Sequence, residues 1–241
     1  MPTFERDGTS IYYEVHGEGF PLLLFAPGSV GSAISVWSRA AYDPIREFAA
    51  DFRVIALDQR NAGQSRAPIR ASDGWHVYTE DHLALLDHLG VERAHLLGNC
   101  VGPSFALALL AAAPERGAAA VLQQPIGATE ENGPLFRSSF DSWASELAPH
   151  HPEASAQDFV AFRERMFGGD FVFSISRDAA RKIRNPMLVL AGNDVHHPAL
   201  TSRELASLAP NAELVEGWKD PAVLPQSIRR VRAFLQQHTP R

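Results

Sequence analysis

The chain has 241 residues, of which 45% are hydrophobic and 21% charged, and its formal net charge is -6 at pH 7. This size and composition are typical of a globular protein with one large α/β core, so we expect a single domain over residues 1–241. The acidic balance provides no basic surface for nucleic acid or for an anionic membrane. We therefore expect a small molecule, rather than either of these, as the partner.

Cysteine usage and hydropathy indicate the compartment. The single cysteine excludes an internal disulfide and a multi-cysteine metal site, which is typical of a reducing cytosol. The sequence begins without a basic and apolar leader, and no apolar run approaches the ~20 residues that span a bilayer. We expect a cytoplasmic protein.

Apolar runs predict eight strands, and helical patterns alternate with them after an initial hairpin. The predicted strands are Thr3–Arg6, Ile11–His16, Leu22–Phe25, Arg53–Leu57, Ala94–Leu97, Ala118–Leu122, Met187–Ala191 and Ala212–Glu216. The predicted helices are Asp43–Ala50, Val77–Leu89, a helix from Pro103 onward, Phe136–Leu147, Gln157–Met166 and Pro225–Gln237. Right-handed crossovers between such units build a mostly parallel eight-stranded sheet flanked by helices.

The segment of residues 126–185 differs in character from its surroundings. It mixes polar and aromatic side chains with short helical patterns between two predicted strands, which indicates an inserted helical segment, named the lid below. Its large apolar residues are Phe136, Phe140, Trp143, Phe159, Phe162, Met166, Phe167, Phe171 and Phe173. They predict either an apolar pocket beneath the lid or the interior of the lid itself.

The stretch Ala94–Ala113 is predicted as a strand, a tight turn and a helix. Glycines two residues before and after Cys100 permit close backbone approach and strained dihedral angles at the turn. The sulfur is then placed beside the first turn of a helix, where free N–H groups and the helix dipole favour an anion. We therefore expect a stabilised thiolate at Cys100, although a lone cysteine is otherwise most often an inert small hydrophobe.

The turn Gly-Asn-Cys-Val-Gly after an apolar strand resembles the nucleophile elbow of the α/β-hydrolase superfamily, with cysteine where serine is usual. The segment Asp58–Ser65 is similar to the D-x-R-G-x-G-x-S turn of cap-bearing members, with Asn61 at one glycine position. The resemblance extends over nearly the whole chain. It implies an α/β-hydrolase fold in which residues 126–185 form the lid over the site, a nucleophilic Cys100 and chemistry without a cofactor.

The same resemblance implies roles for other residues. The backbone N–H groups of Ser29 and Val101 take the positions of the oxyanion hole, although Pro27 stands where the superfamily usually has histidine. Asp194, just after a predicted strand, resembles the acid that orients a histidine. Gln124 and Trp37 are candidates for substrate contact, and a satisfied strand-end glutamine is an equal alternative for Gln124.

The superfamily's histidine is missing from its usual loop after the last strand. The sequence there, Glu216–Pro221, contains none, and His238 lies beyond the final helix. Three alternatives stay open: a histidine from elsewhere, Lys219 as the base, or no base. The candidate histidines are His197, which leads, then His196, His150, His151 and His76. His82 and His88, on a predicted helix face, suggest structural roles.

These residues predict a cofactor-independent hydrolase in which Cys100 attacks an ester, thioester, lactone or related activated carbonyl of a small apolar substrate. Two other classes are a non-catalytic binding protein on a hydrolase scaffold and a lyase or cofactor-free oxygenase, because a fold does not determine a function. No metal ligand set is indicated, since the cluster of Asp194, His196 and His197 lacks a second carboxylate or a cysteine.

Overall fold

One sheet organises the computed structural model, which describes residues 2–240. Its strands are β1 (Thr3–Arg6), β2 (Thr9–His16), β3 (Pro21–Phe25), β4 (Arg53–Leu57), β5 (Ala94–Asn99), β6 (Gly117–Gln123), β7 (Met187–Leu190) and β8 (Ala212–Val215). They lie in the order β1-β2-β4-β3-β5-β6-β7-β8. The pairs β1–β2 and β2–β4 are antiparallel and the other pairings are parallel. The expected eight-stranded, mostly parallel sheet is confirmed.

Helices cover both faces of this sheet. They are α1 (Pro44–Phe48), α2 (Trp75–His88), α3 (Gly102–Ala112), α4 (Gly133–Leu147), α5 (Ala156–Phe167), α6 (Arg177–Lys182), α7 (Ala199–Leu208) and α8 (Leu224–Gln237). Helices α6 and α7 are absent from the predicted elements, because α6 is short and α7 has a weak apolar repeat. Within residues 2–240, none of the helices has the length and hydropathy that crossing a membrane requires.

The alternation of side chains along β3 explains the two layers of core. Leu22 and Leu24 are buried in a cluster with residues of α1 and α8, whereas Leu23 and Phe25 are buried in a cluster with residues of α2 and α3. Successive side chains of a strand point to opposite faces, so an apolar run of this kind requires cover on both sides. Cys100 packs against the second cluster, which also contains the lid aromatics.

The segment between β6 and β7 carries α4, α5 and α6, where the lid is expected. Its aromatic side chains pack against one another, with ring centroids 5.2 Å apart for Phe140 and Phe162 and 5.6 Å apart for Phe136 and Phe167. These four side chains are at least 95% buried. Of the two interpretations of the lid aromatics, the structure therefore favours an interior of the lid.

Two glycines allow α3 to lie directly against the sheet. A Cβ atom on Gly98 would lie 2.3 Å from the carbonyl carbon of Gly102, and one on Gly102 would lie 2.3 Å from the carbonyl oxygen of Phe25. Both obstacles are backbone atoms of buried segments and have no flexible side chain to move. Glycine is thus required at both positions for sterics rather than for backbone freedom.

We predict that Gly102→Ala lowers the free energy of unfolding by about 3 kcal/mol, because the new methyl group forces α3 away from β3. Gly133→Ala is the matched control, since no atom lies within 4 Å of the added Cβ at that helix start. Urea denaturation followed by circular dichroism measures both variants. Equal stability of the two variants would contradict the close approach described above.

Candidate active site

The carboxyl ends of adjacent strands bring the candidate residues to one edge of the sheet. Ser29 follows β3, Cys100 follows β5, Gln124 follows β6, Asp194 follows β7 and Lys219 follows β8. These strands are neighbours in this order in the sheet. Because neighbouring strands lie about 4.8 Å apart, a group on the loop after β7 must reach across β6 to approach Cys100.

Cys100 adopts the strained backbone conformation that the elbow requires. Its φ is 63°, a value uncommon for a residue other than glycine. Its N–H donates to the carbonyl of Gln123 at 3.0 Å, and its carbonyl accepts from the N–H of Ile126 at 3.2 Å. These bonds on both sides hold the strained residue in place, and such strain concentrates at functional sites.

Three backbone N–H groups influence the ionisation of the Cys100 thiol. They belong to Gly28, Val101 and Ser29, and each favours the thiolate. Gly28 has a φ of 122° and Ser29 a φ of 58°, so this loop also holds an unusual conformation. Gly28 thus joins the two backbone amides, of Ser29 and Val101, that the resemblance places near the nucleophile. The hydroxyl of Ser29 is buried and has no hydrogen-bond partner within residues 2–240.

Burial nevertheless decides the protonation of Cys100. Burial, with a smaller contribution from the charge of Asp194, raises the pKa of the thiol from 9.0 to about 11, against the opposing effect of the three N–H groups. The expectation of a stabilised thiolate is therefore corrected: desolvation of the charged form exceeds the stabilisation by the amides. At pH 7 about one thiol in 10,000 is ionised at such a pKa, so rapid nucleophilic attack needs a base.

Asp194 and His197 form an acid–histidine pair within one loop. The Asp194 Oδ1 atom lies 2.7 Å from His197 Nδ1 and accepts the backbone N–H groups of His196 and His197, each at 3.1 Å. Burial raises the pKa of Asp194, but the charges of His197 and Lys219 and the hydrogen bonds from His197 outweigh it and lower the pKa. An ionised carboxylate has no proton to donate, so the imidazole proton resides on Nδ1 and the lone pair on Nε2.

The Nε2 atom of His197 is buried and has no hydrogen-bond partner in the described chain. Burial lowers the pKa of His197 more than the carboxylate of Asp194 raises it, and Lys219 and His196 lower it further. The imidazole is therefore neutral near pH 7, in the form that accepts a proton. Among residues 2–240 no hydrogen bond joins His197 to the Cys100 sulfur.

Lys219, on the loop after β8, contacts both Asp194 and Gln124. Its Nζ atom is 3.4 Å from Asp194 Oδ2 and donates to Gln124 Oε1 at 3.0 Å, while Gln124 Nε2 donates to Asn99 Oδ1 at 3.2 Å. Both polar ends of Gln124 are thus bound by protein. Gln124 thus bridges Lys219 and the elbow, which agrees with the alternative of a satisfied strand-end glutamine, and its contact with substrate stays a prediction.

Trp37 is placed away from this edge. It is 2% exposed and belongs to the core cluster of Leu22 and Phe48, on the opposite face from Cys100. The expected substrate contact of Trp37 is therefore corrected to core packing. A short 3₁₀ segment over Ile34–Arg39 turns the indole under the sheet.

The remaining histidines lie at other places. His150 and His151 line a cavity of about 940 Å³ between the lid and the Asn61–Pro68 segment, and Cys100 is not among its lining residues. His76 is exposed on α2. His196 is also exposed, with its ring 6.0 Å from that of Phe136.

The two histidines with suggested structural roles are both on α2. His82 is fully buried, with Nε2 2.7 Å from Gln59 Oε1, and burial lowers its pKa to about 3. His88 lies 3.3 Å from the hydroxyl of Tyr13. Neither contact includes a residue of the candidate site.

Several supporting residues are missing from the sequence interpretation. Asn99 Nδ2 donates to Gln123 Oε1 at 3.1 Å, and Gln123 Nε2 donates to the hydroxyl of Tyr42. Asn132, fully buried, donates to the carbonyl of Val195 at 2.9 Å and so ties the lid base to the Asp194 loop. The sequence feature that could have predicted Asn99 and Gln123 as supporting residues is their position as polar residues at the ends of apolar strands.

Within residues 2–240 no group of three or more His, Cys, Asp or Glu side chains is placed to hold a metal ion.

Comparison with known proteins adds a family match and hydrolase relatives. Residues 21–168 match the family model described as alpha/beta hydrolase fold. A 2-hydroxymuconate semialdehyde hydrolase of Pseudomonas sp. strain CF600 is 35% identical over 228 residues, which cover 82% of this chain and 78% of the relative. A protein named as a carbamate hydrolase, RutD of Azorhizobium caulinodans, is 35% identical over 119 residues, covering 48% of this chain and only 41% of the relative.

A solved structure shares the architecture. The meta-cleavage product hydrolase CumD of Pseudomonas fluorescens IP01 superimposes with a TM-score of 0.72 at 22% identity, over 99% of this chain and 98% of that one. At this identity the likeness supports the fold and no more.

We predict that alkylation of Cys100 by iodoacetamide is slow at pH 7 and accelerates about tenfold per pH unit, with a midpoint near 11. Pulsed pH-jump labelling followed by intact-mass analysis measures this rate, and the single cysteine makes the signal unambiguous. A cysteine-containing peptide, with a midpoint at about 8.5, is the control. A midpoint in the protein at or below that of the peptide would contradict the effect of burial.

Proposed function

The chain belongs to the alpha/beta hydrolase fold family, and on this premise we propose that it is a cofactor-independent hydrolase with Cys100 as the nucleophile. The proposed substrates are esters, thioesters, lactones or related activated carbonyl compounds that are small and largely apolar. His197 serves as the base, Asp194 orients it, and the N–H groups of Ser29 and Val101 bind the oxyanion.

One observation carries this proposal: a cysteine with a φ of 63° whose thiolate is favoured by the backbone N–H groups of Gly28, Ser29 and Val101. An oxyanion forms next to the attacking atom, so donors near Sγ also lie close to the oxygen of a carbonyl bonded to it. A cysteine that served only for packing would have no need of a φ of 63° or of N–H groups that favour its thiolate. Loss of one such donor typically costs about 3 kcal/mol of transition-state stabilisation.

The proposed reaction proceeds in two steps. His197 Nε2 takes the thiol proton as Sγ bonds to the carbonyl carbon, and the same proton passes to the leaving oxygen, sulfur or nitrogen as its bond to carbon breaks. Water then attacks the resulting thioester, His197 again accepts a proton, and that proton returns to Sγ when the acid product leaves. Substrate binding must bring Nε2 within reach of the sulfur, since catalytic hydrogen bonds often tighten only in the complex.

The names of the relatives support the reaction class. The two sequence relatives are a 2-hydroxymuconate semialdehyde hydrolase and, by name, a carbamate hydrolase. Both names denote cleavage of a small molecule by water, as we propose for this chain. The compound named by the first relative is therefore included among the test substrates.

A second candidate is a protein that binds a small molecule without turnover. It is favoured by the raised pKa of Cys100, about 11, and by the lack of a hydrogen bond between His197 and the sulfur in the described chain. Under this candidate the Asp194–His197 pair would be a loop structure only. The two candidates make opposite predictions for ester probes.

We predict that p-nitrophenyl acetate and a matching thioester release product in a reaction that requires Cys100. Cys100→Ala should abolish the release, and His197→Asn should slow it by about 10²–10⁴-fold, the usual contribution of a general base. Release is measured by absorbance, with p-nitrophenyl butyrate as a further ester, and the acid products of a γ-lactone and of 2-hydroxymuconate semialdehyde are measured by mass analysis. His88→Asn, at a partly exposed histidine of α2, is the matched control.

Mass analysis of the reaction mixture separates the candidates. A transient acyl adduct on Cys100 supports the hydrolase, and a permanent stoichiometric adduct indicates attack without deacylation. No adduct and no Cys100-dependent release, with an increased melting temperature on adding a small apolar ligand, would favour the binding protein. A Cys100→Ser variant with faster turnover would contradict the need for the thiol.

A further inference from the structure

Lys219 differs in position from the other lysine of this chain. The sequence contains 22 lysine and arginine residues, of which only Lys182 and Lys219 are lysines. Lys182 is exposed at the end of α6, whereas the Lys219 side chain is 31% exposed and extends along the candidate site. The loop that carries it is anchored by Trp218, which is 1% exposed and donates to the carbonyl of Ala191 at 3.0 Å.

The carboxylate of Asp194 is shared between two partners. Oδ1 accepts from His197, and Oδ2 lies 3.4 Å from the Lys219 ammonium. The ammonium in turn donates to Gln124, whose amide reaches Asn99 beside the nucleophile. A continuous line of polar contacts thus joins the acid loop after β7 to the elbow after β5, and Lys219 is its central member.

We propose that Lys219 is a positioning residue, which replaces the superfamily's histidine as the partner of the acid and holds the Asp194–His197 pair against the edge of the sheet next to Cys100. This inference rests on the proposed function, because the pair is positioned for the chemistry of Cys100. Lys219 itself takes no proton from substrate or thiol. The base is His197, which lies in the loop after β7 together with the acid Asp194.

The charge of Lys219 has a second effect on the pair. The charged and titratable groups that act on His197 are Asp194 and His196 from its own loop and Lys219 from the loop after β8. A positive charge opposes protonation of the imidazole, so Lys219 helps to keep His197 neutral, and it lowers the pKa of Asp194 as well. Arginine would supply the charge, but its planar, multi-donor head fits the space between one carboxylate oxygen and one amide oxygen less well.

The test measures the pKa of the His197 imidazole by heteronuclear NMR in the full chain, with His197→Asn to assign its signal. We expect Lys219→Met to raise this pKa by about one unit, because the opposing charge is removed. Lys219→Arg should keep most of the wild-type value, and Lys182→Met, which changes the other lysine, should leave it unchanged. Lys219→Gln serves if Lys219→Met does not fold, since glutamine retains a polar group without the charge.

Activity provides the second measurement. The acidic limb of the pH profile for p-nitrophenyl acetate should move upward with the pKa of His197 in Lys219→Met. The NMR result does not depend on turnover, so loss of the proposed function and loss of this inference are distinguishable. An unchanged His197 pKa in both Lys219→Met and Lys219→Gln, or a Lys219→Arg variant equal to Lys219→Met, would overturn the inference.

Discussion

The contact between the start of α3 and the ends of β3 and β5 is the constraint on which the site depends. There is no room for a Cβ atom at Gly98 or Gly102, so the chain must turn sharply between them. The turn forces Cys100 into a positive φ and presents its sulfur to the amides at the helix start and at Gly28 and Ser29. The close packing of α3 on the sheet also brings the loop after β3 next to the elbow after β5. Gly102 packs on the carbonyl of Phe25, which is the last residue of β3.

Two opposing electrostatic effects meet at this sulfur. The nearby N–H groups favour an anion, but the protein around the thiol withholds the water that would solvate it, and the second effect dominates. A neutral, partly buried thiol near backbone N–H groups is prepared for charge that develops during a reaction rather than for charge that exists beforehand. Cys100 therefore depends on a neighbouring base more than a cysteine at the protein surface would.

Asp194 has partners from two loops. His197 lies three residues from Asp194 and bonds to it within a single loop, and the loop after β8 supplies Lys219 as the second partner. The lid is tied to this loop through Asn132, and its aromatic residues pack among themselves. The lid and the loop that carries the pair are thus connected through one buried side chain.

Features encoded by neighbouring residues were determined by the sequence alone. The apolar runs specified the eight strands, the paired glycines specified the elbow, and the spacing of Asp194 and His197 made their contact possible within one turn. The tertiary structure decided the raised pKa of Cys100, the core position of Trp37, the bridging role of Gln124 and the place of Lys219. Each of these depends on burial or on contacts between strands that are distant in sequence, and the sheet order that creates those contacts is absent from any local pattern.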